Sequence, residues 1–321
     1  MRRVGLLAGA VVLAGCGEEQ STLLPESDAT HSIDAMWWVL LIGSTIVVAV
    51  VTLLVLATLL RRRGSLDEVE RGGGGTTFAL VSGAAIPAVV LVALFAYVLS
   101  SLDATAQPKG RRDLNIEVIG KQWWWEVRYL DQDIVSANEI HIPVGVPVRV
   151  VARTGDVIHS FWVPRLNRKI DMIPGRRNAI LLQADRAGAY RGQCAEFCGL
   201  QHANMAFYVI AEPAQRWQRW AARERRPAAP GDTGERVFTS AGCSGCHSIR
   251  GTAADGRVGP DLTHVASRST LGGGVIANTP ENLRLWLRDA PLLKPGVLMP
   301  AFRGMTEEDL RALADYLGSL Q

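Results

Sequence analysis

The strongest pattern in the chain is the placement of its apolar runs. Residues 36–60 carry no charge, and a second apolar run extends from about Phe78 to Leu102. About 20 consecutive apolar residues cross a bilayer. The pattern therefore predicts two spans, 36–60 and 78–102, forming a transmembrane hairpin over 36–106. Two buried helices of a soluble protein are the alternative. Arg61, Arg62 and Arg63 close the first run, and basic loops face the cytoplasm, so both ends of the hairpin are expected outside. Arg111 and Arg112 on the outer flank run against that bias. Pro87 falls inside the second span, where neighbouring helices can satisfy the carbonyl it frees. Trp37, Trp38 and Tyr97 stand near the span ends, as interfacial aromatics do. Ahead of the hairpin, Arg2-Arg3, a short apolar stretch and Leu13-Ala14-Gly15 read as a signal peptide over 1–15. An extracytoplasmic segment over 16–35 follows it.

Beyond the hairpin the period changes. From 107 to 213 the chain reads as short strands, among them Asn115–Ile119, Trp124–Tyr129, Val146–Ala152 and Ala179–Ala184, separated by Gly and Pro. No helical period arises before Gln215, so an all-β sandwich or barrel is expected. A basic, Trp-bearing stretch then leads to Arg226 and Pro227-Ala-Ala-Pro230-Gly231, which reads as a linker over 214–231. Over 232–321 helical spacing takes over. Gly234 to Ala241, with Val237 and Phe238, forms one helix. Thr279 ahead of Pro280 starts another, carrying Trp286. Thr306, with Asp309 three residues on, caps a last helix whose Leu310, Leu313, Leu317 and Leu320 share one face. That face is expected to pack on the first helix.

Composition sharpens this in three ways. Across 321 residues, 48% hydrophobic content excludes low-complexity disorder and fits a chain partly in lipid. A net charge of +3 is too small to indicate nucleic acid as a partner. Five cysteines, an odd number, argue against a simple disulfide framework. Everything after residue 107 is expected outside the cytoplasm, where thiols ordinarily oxidise. Cysteines that stay unpaired there hold something else.

Two groups of residues carry the chemistry. The first is Cys194-Ala-Glu196-Phe-Cys198, followed by His202 and Met205, with His159 upstream. Two thiolates, two imidazoles and a thioether suit copper and suit Mg or Ca poorly. A mononuclear blue-copper site uses one Cys; here a second thiolate can bridge two copper ions, leaving one His for each. The alternatives are less complete. A Cys194–Cys198 disulfide leaves His159, His202 and Met205 unexplained, and tetrahedral zinc leaves the Met idle. A copper-chaperone arrangement would not place a His upstream. The second group is Cys243-Ser-Gly-Cys246-His247, the attachment motif of a c-type haem. The two thiols add to the haem vinyl groups and His247 binds the iron. A redox-active dithiol is the alternative, but its β-α-β setting is absent from the pattern. Met299, held before Pro300, is the expected sixth ligand ahead of Met305, and His264 would serve only in a bis-His site. His/Met ligation fills both axial positions and raises the potential. The Gly259-Pro260 pair can place a carbonyl on the His247 ring N–H.

The copper-type cluster, the segment Asp156-Val-Ile-His159-Ser-Phe-Trp-Val-Pro164, the aromatic run Gln122-Trp123-Trp124-Trp125 and the preceding hairpin together resemble subunit II of cytochrome c oxidase over about residues 30–215. The C-terminal 232–321 segment resembles a class I cytochrome c. The resemblance implies a multi-domain membrane protein: a two-helix transmembrane hairpin, an all-β cupredoxin-like sandwich over 107–213 and an all-α cytochrome c domain. It implies a dinuclear copper-A site. Cys194 and Cys198 would bridge both ions, His159 and Met205 would complete one, and His202 with the Glu196 carbonyl would complete the other. The Glu196 carboxylate would hold a magnesium ion shared with subunit I, and Trp123 would be where electrons enter; Trp124 and Trp125 are expected to pack. Cys16 after Leu-Ala-Gly resembles the bacterial lipoprotein box, which implies lipidation of Cys16. The implied function is transfer of electrons from a soluble cytochrome c or other donor, through haem c and copper-A, to subunit I, where O2 is reduced. Subunit III and membrane lipid are the further implied partners, at a bacterial plasma membrane. A membrane-anchored carrier for another terminal reductase is the alternative, then a copper-delivery or sensor protein; a quinol oxidase would not need these ligands. One departure is clear: many members carry a proton-conducting Glu near the start of the second span, and here Leu80 stands there, with Glu68 and Glu70 the nearest acids.

Overall fold

The computed structural model describes residues 18–60, 75–105, 114–229, 231 and 233–321. The signal peptide, Cys16, the loop with Arg61–Arg63, Glu68 and Glu70, and the flanking Arg111 and Arg112 lie outside the described residues. Two compact units are present, His31–Ala106 and the remainder of the chain. The first unit holds α1 (Asp28–Leu60) and a second long helix built from α2 (Gly75–Leu80), one π-turn (Val81–Ala85) and α3 (Ile86–Thr105). Both are long and apolar enough to cross a membrane. A π-turn stands directly before Pro87. The Ile86 N–H reaches back five residues to the Val81 carbonyl. The ladder thus widens locally just ahead of the missing N–H.

In the second unit, ten strands form two five-stranded sheets, ordered β3-β2-β1-β5-β8 and β4-β10-β9-β6-β7. The sheets are β1 (Asn115–Lys121), β2 (Trp124–Tyr129), β3 (Ile134–Ala137), β4 (Glu139–Pro143), β5 (Val148–Thr154), β6 (His159–Trp162), β7 (Ile170–Met172), β8 (Asn178–Leu182), β9 (Gly188–Cys194) and β10 (Ala206–Glu212). Alternate residues fill the space between them: Ile116 and Val118, Val148 and Val150, and Phe207 and Val209 are all buried. That is the period-2 pattern of a sheet with one face inward, and the cupredoxin-like sandwich is as expected.

The stretch 214–231 is more than a connector. Ala214–Glu224 forms a helix, α4, whose Trp217, Trp220 and Ala221 pack against the sandwich. Their spacing is that of one helical face. Trp220 stacks on His141 at 4.3 Å and 8°, and Trp217 Nε1 donates to the His141 carbonyl at 3.1 Å. Glu224, at the end of the helix, is buried, and its carbonyl lies 3.1 Å from His264 Nε2 in the following domain. The buried His264 is thus committed to this junction.

That following domain is a small helical unit: α5 (Thr233–Ser240), α6 (Pro280–Leu293) and α7 (Glu307–Ser319), with a two-residue strand pair, Thr270–Leu271 and Ile276–Ala277. Thr279 and Thr306 accept the N–H groups of Asn282 and Asp309, capping α6 and α7. Leu310, Leu313, Leu317 and Leu320 are buried together with Phe238 of α5. Within α6 the backbone breaks at Asp289, whose carboxylate accepts the Leu292 N–H and so restarts the helix ahead of Pro291.

Candidate metal and haem sites

Three strand ends meet at one end of the second sheet, on its central strands. His159 opens β6, Cys194 ends β9, and Met205 directly precedes β10. Backbone bonds fix the convergence: Cys194 N donates to the Met205 carbonyl and Ala195 N to the Ser160 carbonyl, both at 3.0 Å. The intervening loop 195–204 turns back on itself at Gly199, where φ is +110° and a Cβ would lie 3.1 Å from Gln122 Nε2 and 3.2 Å from Trp123 Cζ2. Glycine is needed there both for the left-handed backbone and for the close approach.

This geometry gathers the sulfur and nitrogen donors. The Cys194 and Cys198 sulfurs lie 3.7 Å apart and form no disulfide. His159 Nδ1 is 3.8 Å from Cys194 Sγ; His202 Nδ1 and Met205 Sδ are 3.6 and 3.7 Å from Cys198 Sγ. The Glu196 carbonyl is 3.2 Å from Cys194 Sγ. His159, Cys194 and Cys198 form one compact buried group, while His202 approaches the thiol pair from the Cys198 side. Two imidazoles meeting different sulfurs suit two metal centres sharing the thiols better than one tetrahedral ion. The shared hydrogen bond favours loss of the first thiol proton, at Cys194, and opposes loss of the second, at Cys198. His159 is fully buried. Burial opposes its charge, but bonds to Asp156 and Cys194 carry its pKa above the usual imidazole range. Asp156 Oδ1 holds the outer ring nitrogen, Nε2, at 2.8 Å, which leaves Nδ1 for a metal. Burial works against the Asp156 carboxylate, but His159 and the N–H groups of Gln122 and Val157 keep its pKa low. Glu196 presents its side chain to solvent.

The second site is a cavity of about 260 Å³ whose walls include Cys243, Cys246, His247 and Met299. Met305 is not among its lining residues. The two cysteines sit on a single 3-10 turn, Cys243–Gly245 and its cap. Pro260 O accepts from His247 Nδ1 at 2.7 Å, so Nε2 keeps its lone pair. Burial lowers the His247 pKa despite that bond, which favours the neutral, ligating imidazole. A Cβ at Gly259 would lie 2.5 Å from the His247 ring, so the cradle admits only glycine there. Arg268 lines the same cavity, and its buried Nε has no partner, an open donor suited to an anionic haem substituent. The residues of both sites fit the groups their motifs imply.

The cavity is closed on one side by the sandwich. Trp123 and Trp124 both line it, although Trp124 was expected only to pack. Trp123 Nε1 also donates to the Cys198 carbonyl at 3.0 Å, so one indole touches the cavity and the thiol loop. Trp125 does pack: it is buried against His159, Phe161 and Phe207. Three contributors were missed from sequence. Asp156 could have been found from its position three residues before a ligand histidine. Gln122, which donates to the Cys198 carbonyl at 2.7 Å, gives no signal outside the fold. Lys294 could have been suspected as a lone charge in the apolar run from Pro291 to Met299.

Comparison with known proteins agrees with this division. The family "Cytochrome C oxidase subunit II, periplasmic domain" matches residues 132–212, and the family "Cytochrome c" matches residues 231–321. Cytochrome c oxidase subunit 2 of Alkalihalophilus pseudofirmus is 39% identical over 217 residues, 66% of this chain and 63% of that protein. The protein of the same name from Bacillus sp. strain PS3 is 32% identical over 238 residues, 68% of this chain and 66% of its own. That from Branchiostoma floridae is 33% identical over 156 residues, 42% of this chain and 67% of its own. The chain thus covers just under two thirds of the first two relatives' lengths.

Proposed function

From the premise that the chain belongs to the cytochrome c oxidase subunit II family, we propose that it is the electron-input subunit of a haem-copper oxidase carrying its own haem c. It takes electrons from a soluble cytochrome c or other donor and delivers them to subunit I, where O2 is reduced. When bound, the two copper ions supply a one-electron centre of low reorganisation cost, and the haem supplies a second one-electron couple. The observation that carries this reading is the shared wall. Trp123 lines the Cys243–Met299 cavity and hydrogen-bonds the Cys198 carbonyl, so the two candidate sites are neighbours through one indole.

The residues divide the work as follows. Cys194 and Cys198 would hold the copper between them, with His159, Met205, His202 and the Glu196 carbonyl as the further donors. Asp156 orients His159. Cys243 and Cys246 would hold the haem covalently, and His247 and Met299 would be its iron ligands, a pair that leaves O2 no place to bind. Trp123 receives the electron. The exposed Glu196 carboxylate offers a hard oxygen donor to a magnesium ion at the subunit I interface. We place the chain in a bacterial plasma membrane, anchored by the hairpin and by lipid on Cys16 after removal of residues 1–15, beside subunit I and subunit III, with residues 107–213 and 232–321 outside. The absorption spectrum of the purified protein tests this. A c-type haem band together with a copper-A near-infrared band is expected; absence of either refutes the reading.

A further inference from the structure

Lys294 is 1% exposed and sits where four segments meet. Its Nζ donates to the Trp123 carbonyl at 2.8 Å, to the Asn204 carbonyl at 2.7 Å and to the Gly272 carbonyl at 2.5 Å. Trp123 belongs to the wall between the sites. Asn204 directly precedes the ligand Met205. Gly272 lies in the haem domain between its two short strands, and Lys294 itself opens the loop that ends in Met299. An ammonium has three N–H donors and no acceptor, so all three are used. Among the described residues no carboxylate pairs with it; its partners are the three carbonyls. A buried, unpaired cation is costly wherever it is not fully hydrogen-bonded. In the undocked molecule the Trp123 and Asn204 carbonyls would leave with the sandwich, only the Gly272 carbonyl would stay beside Lys294, and the ammonium would return to water.

We propose that Lys294 is a positioning residue, a clamp that fixes the haem domain on the copper loop in one electron-transfer geometry. Neighbouring bonds set the same register: Ala206 N donates to the Gly273 carbonyl at 2.9 Å, and Gln201 Nε2 to the Pro295 carbonyl at 2.8 Å. Ser269 N adds a bond of 2.6 Å to the Glu139 carboxylate at a separate point of the joint. The stretch 214–231 keeps the domains at high local concentration and anchors one end of the joint through the packed helix and the Glu224 carbonyl on His264, away from the loops that carry Met205 and Met299. Orientation needs a contact specific to one pose, and a buried cation with three fixed acceptors is such a contact. Haem-loop and copper-loop positions are thereby coupled through one side chain that touches neither metal.

The clamp rests on the function proposed above, and its test separates the two. The full-length chain with both cofactors is compared with Lys294→Met, which keeps the length and removes the donors. Four readouts are taken: the haem band, the copper near-infrared band, the dipolar interaction between the two oxidised centres, and the rate of haem-to-copper electron transfer after rapid haem reduction. Both bands are expected unchanged, the distance distribution broadened, and the rate lowered about tenfold or more, since small misplacements cost that much. Lys294→Gln, with two donors, is expected to recover part of the loss, and it carries the test if Lys294→Met does not assemble. An unchanged rate with both bands intact overturns the clamp alone. A wild-type protein lacking either band removes the underlying reading and the clamp with it.

Discussion

The two candidate centres are built by opposite means. The copper-type donors come from residues 159 to 205 and meet because the ends of three central strands are hydrogen-bonded to one another at one end of a sheet. The haem-type donors Cys243, Cys246 and His247 are contiguous and lie on one short turn, with Cys246 exposed. In the first site, precision is a property of the sandwich, whose buried core holds the backbone in place before any metal arrives. In the second, the proposed covalent attachment would supply what the turn lacks, while Pro260 and Gly259 present the histidine. On the proposed reading, a centre that would hold two ions with little rearrangement is placed on the rigid element, and a centre that would be locked by covalent bonds sits on a loop.

The comparison can be broken most severely at the thiols. Cys198→Ser removes one bridging sulfur and is expected to abolish the near-infrared copper band while leaving the c-type haem band intact. His159→Ala is expected to do the same to haem-to-copper transfer, and unchanged transfer in that variant would sink the copper assignment. Next in size is the support of the sandwich. Trp220→Ala removes a buried aromatic ring that packs on Tyr129 and His141. It is expected to cost about 3–5 kcal/mol in the unfolding of the sandwich. The c-type band should be spared until that unfolding sets in, as followed by thermal denaturation at both wavelengths. Smaller again is the outer bond on His159. Asp156→Asn is expected to lower copper affinity about 10–100-fold, read by competition with a chelator, with no change in haem content.

The smallest effect is on pH dependence. His141 lies against Glu139 and Glu212. Burial opposes its protonation, but the two carboxylates raise its pKa above 6.5. A raised imidazole contributes stability that is complete below 6.5 and is lost as pH rises through the folded value. The melting temperature of the sandwich should therefore fall as the solution becomes alkaline, and His141→Gln should flatten that slope without altering the haem band.

The same contrast explains what could be read from the chain alone. A contiguous motif such as Cys243 to His247 is visible because its chemistry and its geometry coincide in sequence. The strands were visible from alternation at Ile116 and Val118, and the caps from Thr279 and Thr306. The copper-type donors were visible only as residue types at family spacing; what brings His159 to Cys194 is strand pairing 35 residues apart. Docking was not legible. The face of α4 looks like any amphipathic helix until His141 is placed under Trp220, and Trp124 looks like its neighbours until the haem domain closes over it. Lys294 carries no signal of its three acceptors, because all are backbone carbonyls and any residue supplies one.

The central claim is that one chain holds a dinuclear copper site and one haem c. Elemental analysis of the purified full-length protein tests it most directly. The account predicts two copper atoms for each iron, with no zinc. One copper per iron, or zinc in place of copper, would contradict it.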